Sequence, residues 1–416
     1  MLQALFYHND ILMALQSTCS NARIDVVKNL NVGLISVGWM GRLHSRAYLA
    51  TAHHYPELPV RAVLKCAADP DAGSRSHATD TLGYQEVVSD YRELLADPAI
   101  DLVSICAPNF LHHEIALAAA SAGKPFWIEK PMGRSAQESR EIAEAAAGAG
   151  IVTAVGFNYR HAPAIARARQ LIRDGAIGEV TNARVAFLAD YSSDPLGALT
   201  WRFERARAGS GVLGDLLSHG FDLAQYLVGP VVRVSADTET YIRRRPLPSA
   251  DAASHFSRGT ADAPTGDVEN EDYAIVTARF ENGAIGVFES SRIAVGPHAE
   301  YNIEVYGTRG SLRWDFQRLN ELRLADTPSG YRTIMAGPAF GEFARFQPGA
   351  GTSMGFDDLK TIEAALFLRS VAEGRQVAPS AADGWAAAEM VDAALHSAET
   401  RAWVDVPRVE GTTIGI

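Results

Sequence analysis

Short apolar runs alternate with helical patterns through the first third of the chain. The runs that fit buried strands are 30–37, 60–68, 101–107, 126–129 and 152–156. Helical periodicity lies between them, over about residues 42–52, 112–122 and 136–147. Strands buried on both faces read as continuous apolar runs, and helical segments separate them here. The pattern therefore predicts an α/β fold with a doubly wound parallel sheet.

The rhythm changes after Gly156. A helix is predicted over residues 163–173, and strands then dominate. They are predicted at 180–190, 231–241, 273–280, 285–290, 301–306 and 311–314. Asn282-Gly283 between two of them is a hairpin signal. The pattern predicts an α+β domain with a large, mostly antiparallel sheet. Two helices are predicted at the end of the chain, at about 356–373 and 381–399. Whether these helices pack back on the first domain stays open.

Three segments fit no regular pattern. Residues 1–29 precede the first strand, and their apolar run is too short for a membrane span and lacks the basic flank of a signal peptide. They are expected to be an extension that is frayed or forms a single helix. Residues 243–267 and 336–355 are long loops, for which a lid, an intersubunit arm and plain disorder all stay open.

Composition narrows the range of partners. The chain has 416 residues, of which 47% are hydrophobic, and this is enough for two domains with sizeable cores. A formal net charge of -11 argues against nucleic acid and anionic membranes as partners. The chain has three cysteines, which are Cys19, Cys66 and Cys106, and it has no CxxC motif. They suggest neither a disulfide framework nor a zinc site, and they fit a cytoplasmic protein.

A glycine turn, Gly38-Trp39-Met40-Gly41, joins the first strand to the first helix. Free N–H groups and the positive dipole end at the helix N-terminus suit a pyrophosphate. In the G-x-G-x-x-G pattern of dinucleotide-binding folds, Ser36 replaces the first glycine. A tight turn without a ligand is the alternative.

Polar residues end the next two strands. Asp69 follows the second strand, where a carboxylate would accept hydrogen bonds from ribose hydroxyls and repel a 2′-phosphate, which favours NAD over NADP. Its distance from the glycine turn exceeds the usual spacing of about 20 residues, and Arg75 lies close enough to leave NADP open. Pro108 and Asn109 end the third strand, and His112 begins the helix that follows, at the same predicted edge.

The stretch 124–131, KPFWIEKP, ends a strand in charged residues. Pro131 closes the strand because it cannot donate to a ladder. Ligands of open parallel sheets bind outside the carboxyl ends of the strands, so Glu129 and Lys130 would share an edge with Gly38. The alternative is a strand end with two solvated charges and a turn proline.

A second polar cluster follows a glycine-rich turn at residues 208–214. Asp215, His219 and Asp222 fall at i, i+4 and i+7 of a predicted helix and so share one face. A carboxylate one turn from an imidazole can orient it and raise its pKa. A buried polar patch or a capping network is the alternative, and no metal is predicted because further ligands are missing.

Four features together resemble the Gfo/Idh/MocA family of oxidoreductases. They are EKP at 129–131, the glycine turn at 38–41, GFNYR at 156–160 and the Gly-x2-Gly-Asp-x3-His-x2-Asp run at 211–222. The resemblance extends from about Asn31 to about Pro407. Within the family the chain looks most like inositol and levoglucosan dehydrogenases, which LTWRF at 199–203 and WVDVP at 403–407 support.

The resemblance implies roles for individual residues. Lys130, Asp215 and His219 occupy the family's catalytic positions, and the Lys130–Pro131 bond is expected to be cis. The expected cofactor is NAD, and its binding residues are Ser36, Gly38, Trp39, Met40, Gly41, Asp69, Pro108, Asn109, His112, Glu129 and Lys130. The expected substrate-binding residues are Asn158, Tyr159, Asp190, Trp201, Arg202, Asp215 and His219.

The expected reaction is oxidation of a secondary hydroxyl of a sugar or cyclitol, with NAD as hydride acceptor. His219 would be the base, Asp215 would orient it, and Lys130 would hydrogen-bond the reacting oxygen. Two alternatives stay open. An NAD-dependent glycosidase or epimerase would use the same residues for a transient oxidation. A non-catalytic NAD-sensing regulator is disfavoured because the three catalytic positions are all retained.

These expectations divide the chain into three parts. They are an extension at 1–29, a Rossmann dinucleotide-binding domain at 30–156, and an α+β domain at 157–416 for substrate binding and oligomerisation. The free face of the second sheet suits a homo-oligomer, either a dimer or a tetramer. A small sugar or polyol is the expected partner, with no nucleic acid and no membrane.

Overall fold

Two large β-sheets, each covered by helices, make up the fold in the computed structural model, which describes residues 27–248, 257–326 and 328–414. The strands are β1 (Lys28–Ile35), β2 (Val60–Ala68), β3 (Glu86–Val88), β4 (Leu102–Ile105), β5 (Phe126–Ile128), β6 (Thr153–Val155), β7 (Val180–Ala189), β8 (Val231–Glu239), β9 (Arg244–Pro246), β10 (Thr265–Asp267), β11 (Tyr273–Phe280), β12 (Ile285–Ser291), β13 (Ala299–Gly307), β14 (Ser311–Asp315), β15 (Glu321–Ala325), β16 (Arg332–Met335) and β17 (Val404–Asp405). The helices are α1 (Trp39–His54), α2 (Ala72–His77), α3 (Tyr91–Ala96), α4 (Asn109–Ser121), α5 (Ala136–Gly148), α6 (Pro163–Arg173), α7 (Arg205–Ala208), α8 (Ser218–Val228), α9 (Phe356–Glu373) and α10 (Ala381–Thr400). No helix of the described residues is long and apolar enough to cross a membrane.

The first sheet is parallel and six-stranded, in the order β3-β2-β1-β4-β5-β6. The order reverses between β1 and β4, and ligands of open α/β sheets bind at such a switch point, outside the carboxyl ends of the strands. The predicted doubly wound sheet is therefore confirmed. The edge strand β3 was not predicted, because it is short, begins with the exposed Glu86 and is only partly buried, so no continuous apolar run marks it.

The second sheet has nine strands, in the order β16-β15-β14-β13-β7-β12-β11-β8-β17. Its pairs are antiparallel except β12 with β7, so the predicted mostly antiparallel sheet is confirmed. Strands β15, β16 and β17 lie at the ends of the sheet and were missing from the prediction. Along β11 the exposure alternates, which leaves one face for the helices and one face outward.

The two closing helices pack back on the first domain. Phe367 and Leu368 of α9 are fully buried in one core with Leu30 and Trp127 of the parallel sheet. Helix α10 contributes Ala387 to the core on the opposite face of that sheet. The last third of the chain thus braces the dinucleotide-binding fold as well as its own sheet.

The irregular segments have more structure than the sequence predicts. In the 243–267 loop, β9 and β10 pair in antiparallel fashion, while residues 249–256 lie outside the described residues. In the 336–355 loop, Phe343 is fully buried in the second domain's core. Strand β1 begins at Lys28, inside the predicted extension, and Cys19 with the rest of residues 1–26 lies outside the described range.

Candidate active site

The turn after β1 has the backbone that the glycine pattern demands. Ser36 adopts a positive φ of 75°, which is the left-handed conformation that favours glycine. A Cβ on Gly41 would clash with the carbonyl of Ser36, so the third glycine lets α1 pack close to the strand. Serine therefore takes the first position at the expense of backbone strain, on the order of 1 kcal/mol.

The same turn fits a dinucleotide phosphate. Gly38 caps α1 with no side-chain hydrogen bond, so the N–H groups of the first turn are left for a ligand. Beside it, Trp39 is 70% exposed, and its ring stacks on Phe356 at a centroid distance of 6.2 Å. This arrangement joins the phosphate-binding edge to the start of α9.

Asp69 and Arg75 stand at the end of β2. The Asp69 carboxylate accepts hydrogen bonds from the backbone N–H of Val37 at 2.8 Å and of Asp71 at 2.9 Å. It therefore fixes the glycine turn, next to where a ribose would lie. The guanidinium of Arg75 donates to the carbonyls of Asp69 and Pro70, both at 2.8 Å. Arg75 is thus engaged with the backbone, which weakens the case for a 2′-phosphate partner.

Lys130 lies at the end of β5 and faces the second domain, and the Lys130–Pro131 bond is cis as expected. Its Nζ donates to the Asp215 carbonyl at 2.6 Å and to Asp215 Oδ1 at 3.2 Å. Tyr191 donates to Asp215 Oδ2 at 2.7 Å, and Arg202 Nη1 lies 3.6 Å from Oδ1. The structure thus brings two predicted catalytic residues together at the junction of the domains.

Asp215 and His219 do not sit on one regular helix. Residues Leu213–Leu217 form a π-helical turn that leads into α8, so the predicted single helix is wrong at its start. Glu271 stabilises this turn, because its Oε1 accepts from the backbone N–H of Gly211 at 2.8 Å and of Leu213 at 3.0 Å. Wider π turns inside helices are frequent at functional sites.

The His219 ring lies beside Lys130 in a dry environment. Only 7% of the residue is exposed, and Nδ1 has no hydrogen-bond partner among the described residues. The two carboxylate oxygens of Asp215 bind Lys130 and Tyr191, so the expected orienting bond to Nδ1 is not formed. The prediction of a raised pKa is also wrong: burial, reinforced by the charge of Lys130, lowers the pKa of His219 well below its ordinary value.

Asp222 belongs to a different cluster. Its carboxylate forms a buried, two-point ion pair with Arg160, and Arg160 Nη2 also donates to Asp383 at 3.1 Å. The pair joins the GFNYR stretch to α8 and α10. This part of the predicted shared face is therefore an internal tie between elements, in the manner of the buried polar patch that the sequence left open.

Glu129 is the centre of a buried network behind Lys130. Its Oε1 lies 2.9 Å from His44 Nε2 and 2.6 Å from Lys360 Nζ, and only 6% of the residue is exposed. A Cβ on Gly156 would lie 2.7 Å from the carboxylate, which explains the glycine that opens GFNYR. The Glu129 carboxylate is thus enclosed by other groups of the protein.

A narrow cleft opens beside Asp215, and its free volume of about 10 Å³ is roughly what one water molecule needs. Trp201 and Arg202, which were predicted to bind the substrate, line it together with Asn109, which was predicted to bind the cofactor, and the Arg202 guanidinium lies over the Trp201 ring at 4.5 Å. Tyr191 also lines it and was missed. Inward-facing residues alternate along β7, and Tyr191 continues their series one residue after the predicted Asp190.

Three predicted residues lie apart from this cleft. Asp190 pairs with His298 at 2.8 Å on the outer side. Tyr159 is buried, and its ring packs against those of His219 at 4.7 Å and Tyr301 at 4.8 Å, so it supports the His219 ring. Both ring nitrogens of His112 lie within 2.9 Å of backbone carbonyls, those of Pro131 and Ala107.

Two further predicted residues remain placed for a ligand. Asn158 is 2% exposed, and its Nδ2 lacks a hydrogen-bond partner within the described ranges, as expected of a donor that waits for one. Pro108 caps α4 at the same strand edge. No group of three His, Cys, Asp or Glu side chains suited to a metal ion occurs in the part of the chain that the structure describes.

Known proteins share this architecture. Residues 30–157 match a family model described as an oxidoreductase family with an NAD-binding Rossmann fold, and residues 165–313 match the GFO/IDH/MocA C-terminal domain. Levoglucosan dehydrogenase of Pseudarthrobacter phenanthrenivorans is 40% identical over 391 residues, which cover 92% of this chain and 100% of that one.

More distant and structural relatives agree with these matches. Myo-inositol 2-dehydrogenase of Thermotoga maritima is 25% identical over 383 residues, covering 92% of this chain and 100% of that one. A solved structure of levoglucosan dehydrogenase in complex with NADH and levoglucosan has a TM-score of 0.86 at 39% identity, and it covers 92% of this chain and 100% of that chain.

Proposed function

The chain belongs to the GFO/IDH/MocA family of NAD-binding oxidoreductases, as its motifs predict, and we propose that it oxidises a secondary hydroxyl of a sugar or cyclitol to the ketone. The observation that carries the proposal is that Lys130 and Tyr191 both bind the Asp215 carboxylate at the edge of the cleft, with His219 buried four residues further along the chain. The relative with 40% identity over nearly the whole chain acts on levoglucosan. We therefore place a pyranose of that class first and inositols second.

Lys130 binds the reacting oxygen in this proposal. An ammonium has three N–H donors, and within the described part of the chain Nζ donates to two oxygens, both of Asp215. The third donor is available to the substrate oxygen, where it stabilises negative charge as the hydroxyl proton leaves. Asp215 holds the ammonium in place, and Tyr191 holds Asp215.

His219 accepts the hydroxyl proton. Burial lowers the pKa of His219 and so keeps the ring neutral at physiological pH, which leaves a nitrogen lone pair free for the proton but makes the imidazole a weaker base than in water. Burial among Tyr159, Phe157 and Phe187 keeps bulk water away from the ring. Bound NAD would supply the hydride acceptor, and the glycine turn with the first turn of α1 would hold its pyrophosphate.

Trp201 and Arg202 suit a polyol. An indole ring packs on the apolar face of a sugar ring, and a guanidinium donates several hydrogen bonds to hydroxyls. Since Arg202 also lies 3.6 Å from Asp215, a bound sugar would contact the residue that holds Lys130. Substrate binding and the position of the catalytic ammonium are therefore linked.

A panel of sugars and polyols tests the proposal, with NAD and NADP compared side by side and NADH followed by its near-ultraviolet absorbance. We expect NADH to accumulate with levoglucosan or a related pyranose and to depend on NAD. A glycosidase or epimerase that uses transient oxidation would convert substrate without accumulating NADH. Absence of any substrate conversion across the panel would reject the dehydrogenase proposal.

The assembly is proposed to be a homo-oligomer formed through the outer face of the second sheet. On that face Ile275 and Ile285 are 40% and 37% exposed, on the neighbouring strands β11 and β12. Light scattering should give a mass that is a multiple of one chain, and Ile275→Glu should lower it. A monomeric wild-type protein would contradict this.

We also propose that the protein works in the cytoplasm. Cys66 and Cys106 are both free thiols, and burial raises the pKa of each. Such thiols persist in a reducing compartment, where NAD is also present. Cell fractionation with the NADH assay tests this, and activity confined to secreted fractions would contradict it.

A further inference from the structure

A buried arginine connects the 243–267 segment to the cleft. Arg245 of β9 is fully buried, although the sequence suggests a loop here. Its guanidinium donates to backbone carbonyls of Ser192 at 2.5 Å, Asp194 at 2.8 Å and, at the 3.5 Å limit, Gly197. Three acceptors from one short turn define where that turn can lie.

The ring of Phe203 completes the site of this guanidinium. Its centroid lies 4.4 Å from Cζ of Arg245 and 4.6 Å from Cζ of Arg292, so two cations pack on one ring. Arg292 is itself fixed by Asp272, at 2.8 Å. Both ends of the 192–203 segment are therefore attached to buried cations.

The backbone of the same segment is attached as well. Leu199 N donates to the Pro246 carbonyl at 2.7 Å, and Ala198 N donates to the Ser257 carbonyl at 2.9 Å. Further along, Asn270 Nδ2 donates to the Arg202 carbonyl at 2.8 Å. The β9–β10 pair and its flanks thus hold the 192–203 segment along its length, and we call this arrangement the arginine clamp.

The clamped segment carries the residues that face a sugar. Trp201 and Arg202 line the cleft next to Asp215, and Trp201 also packs edge-on against Phe110. The phosphate-binding turn lies in the other sheet, at residues 36–41. A shift of the clamped segment would move the substrate contacts and leave the glycine turn after β1 in place.

We propose that Arg245 is a positioning residue that determines specificity for the sugar by fixing Trp201 and Arg202 through the arginine clamp. The inference rests on the proposed function, since it assigns these two side chains to the substrate. The clamp acts on sugar binding and not on NAD binding. It also gives the 243–267 segment a role other than a lid or an intersubunit arm.

The test compares Arg245→Met and Arg245→Lys with Arg244→Met. Arg244 is the matched control, since it precedes Arg245 on β9 but lies at the surface and donates to Thr265 within the strand pair. Displacement of Arg202 would remove a charged hydrogen bond to the sugar, which is worth about 10-fold or more in affinity. We expect Arg245→Met to raise KM for the sugar by about that factor, with KM for NAD unchanged.

Arg245→Lys should show a smaller rise in the KM for the sugar, because the lysine ammonium keeps the positive charge and some of the hydrogen bonds of the guanidinium. Arg244→Met should behave as wild type. An unchanged sugar KM in Arg245→Met, or an equal rise in both KM values, would overturn the proposal. If Arg245→Met does not fold, Arg245→Lys decides: a raised sugar KM alone supports the clamp, and an unchanged one overturns it.

Amide hydrogen exchange separates this inference from the proposed function. Exchange should speed up in residues 192–203 of the Arg245 variants and stay constant in residues 36–41. If the wild-type protein forms NADH with none of the sugars tested, the proposed function is rejected. Faster exchange at residues 192–203 in the Arg245 variants would still support the clamp. Unchanged exchange at 192–203 in a folded Arg245→Met would reject the clamp itself.

Discussion

Two lysines reach the end of the same strand from opposite sides. Lys130 follows β5, is partly exposed with 17% of its side chain accessible, and binds Asp215 at the cleft. Lys360 comes from α9, is buried with 1% accessible, and binds Glu129 at 2.6 Å and Glu363 at 2.8 Å. Both ammonium groups thus form ion pairs with carboxylates near the end of β5.

The difference between the two sites lies in solvent access. Lys130 keeps a donor that a ligand can reach, whereas Lys360 is enclosed by two carboxylates and the face of Trp127, 5.4 Å from the ring centroid. When one partner of a buried ion pair is removed, the other remains as an unpaired buried charge, and this strongly destabilises the fold. We therefore propose that Lys130 takes part in the chemistry and that Lys360 supports the strand end.

The largest expected effect is on turnover. Lys130→Ala or His219→Ala should lower kcat by at least about 10²–10⁴-fold, because a positioned proton acceptor and its partner donor contribute that much. NAD binding, measured by calorimetry, should survive in both. The thermal midpoint serves as the control for folding. Near wild-type turnover in both variants would remove these residues from the mechanism.

Lys360→Met should instead lower stability. Removal of the ammonium leaves Glu129 buried without its partner, so we expect a loss of about 3–5 kcal/mol in the free energy of unfolding, measured by urea titration. Arg46→Met is the control: Arg46 pairs with Asp357 at the surface, where a pair is worth about 0–1 kcal/mol. Equal losses in the two variants would contradict a special role for Lys360.

Glu363→Gln tests the surplus carboxylate of the buried site. One ammonium faces two carboxylates, and burial raises the pKa of Glu363 to about 8. A carboxyl whose pKa is raised on folding is most favourable below its unfolded pKa, and this stability is lost as the pH rises from about 4.5 through 8. Wild type should therefore lose stability over that range.

Glu363→Gln should flatten this pH dependence, with a gain over wild type at pH 8 of about 1–3 kcal/mol. Urea titrations of the two proteins at a series of pH values measure it. The Lys360–Glu129 pair stays intact in this variant and should keep the charges of the site balanced. A difference between the two proteins that is constant with pH would show that Glu363 does not titrate in this range.

The smallest expected effect is at the cofactor turn, away from both lysines. Ser36→Gly relieves a left-handed serine, worth about 1 kcal/mol, and adds back a similar cost in glycine flexibility. Thermal unfolding should therefore change by less than about 1 kcal/mol. The Kd for NAD should be kept. A large loss of NAD affinity would show that the Ser36 side chain itself contacts the cofactor.

Local patterns in the sequence were enough for most of the framework. Continuous apolar runs predicted the parallel sheet, and helix α6 was predicted with its observed bounds, Pro163–Arg173. The EKP stretch identified Lys130, because a charged pair after an apolar strand is a local signal. Strands β3 and β17 are short and partly exposed at the sheet edges, so no apolar run marks them, whereas the equally short β5 and β6 are fully buried.

What escaped prediction depends on contacts between distant parts of the chain. Glu129 was predicted to contact the cofactor from its place at a strand end, and nothing near it in sequence indicates its ion pair with Lys360, which follows 231 residues later. Arg245 looked like part of a polar loop for the same reason. The π turn that carries Asp215 is set by Glu271, so spacing alone gave a regular helix and a wrong expectation for His219.

A single-turnover measurement of NADH formation tests the contrast between the two lysines most directly. Enzyme in excess over sugar, with NAD present, reports the chemical step without product release. The expected result is a rate at least about 100-fold slower in Lys130→Met and a rate near wild type in Lys360→Arg, which keeps the buried charge. A Lys130→Met rate within a few-fold of wild type, or an equally slow Lys360→Arg, would contradict it.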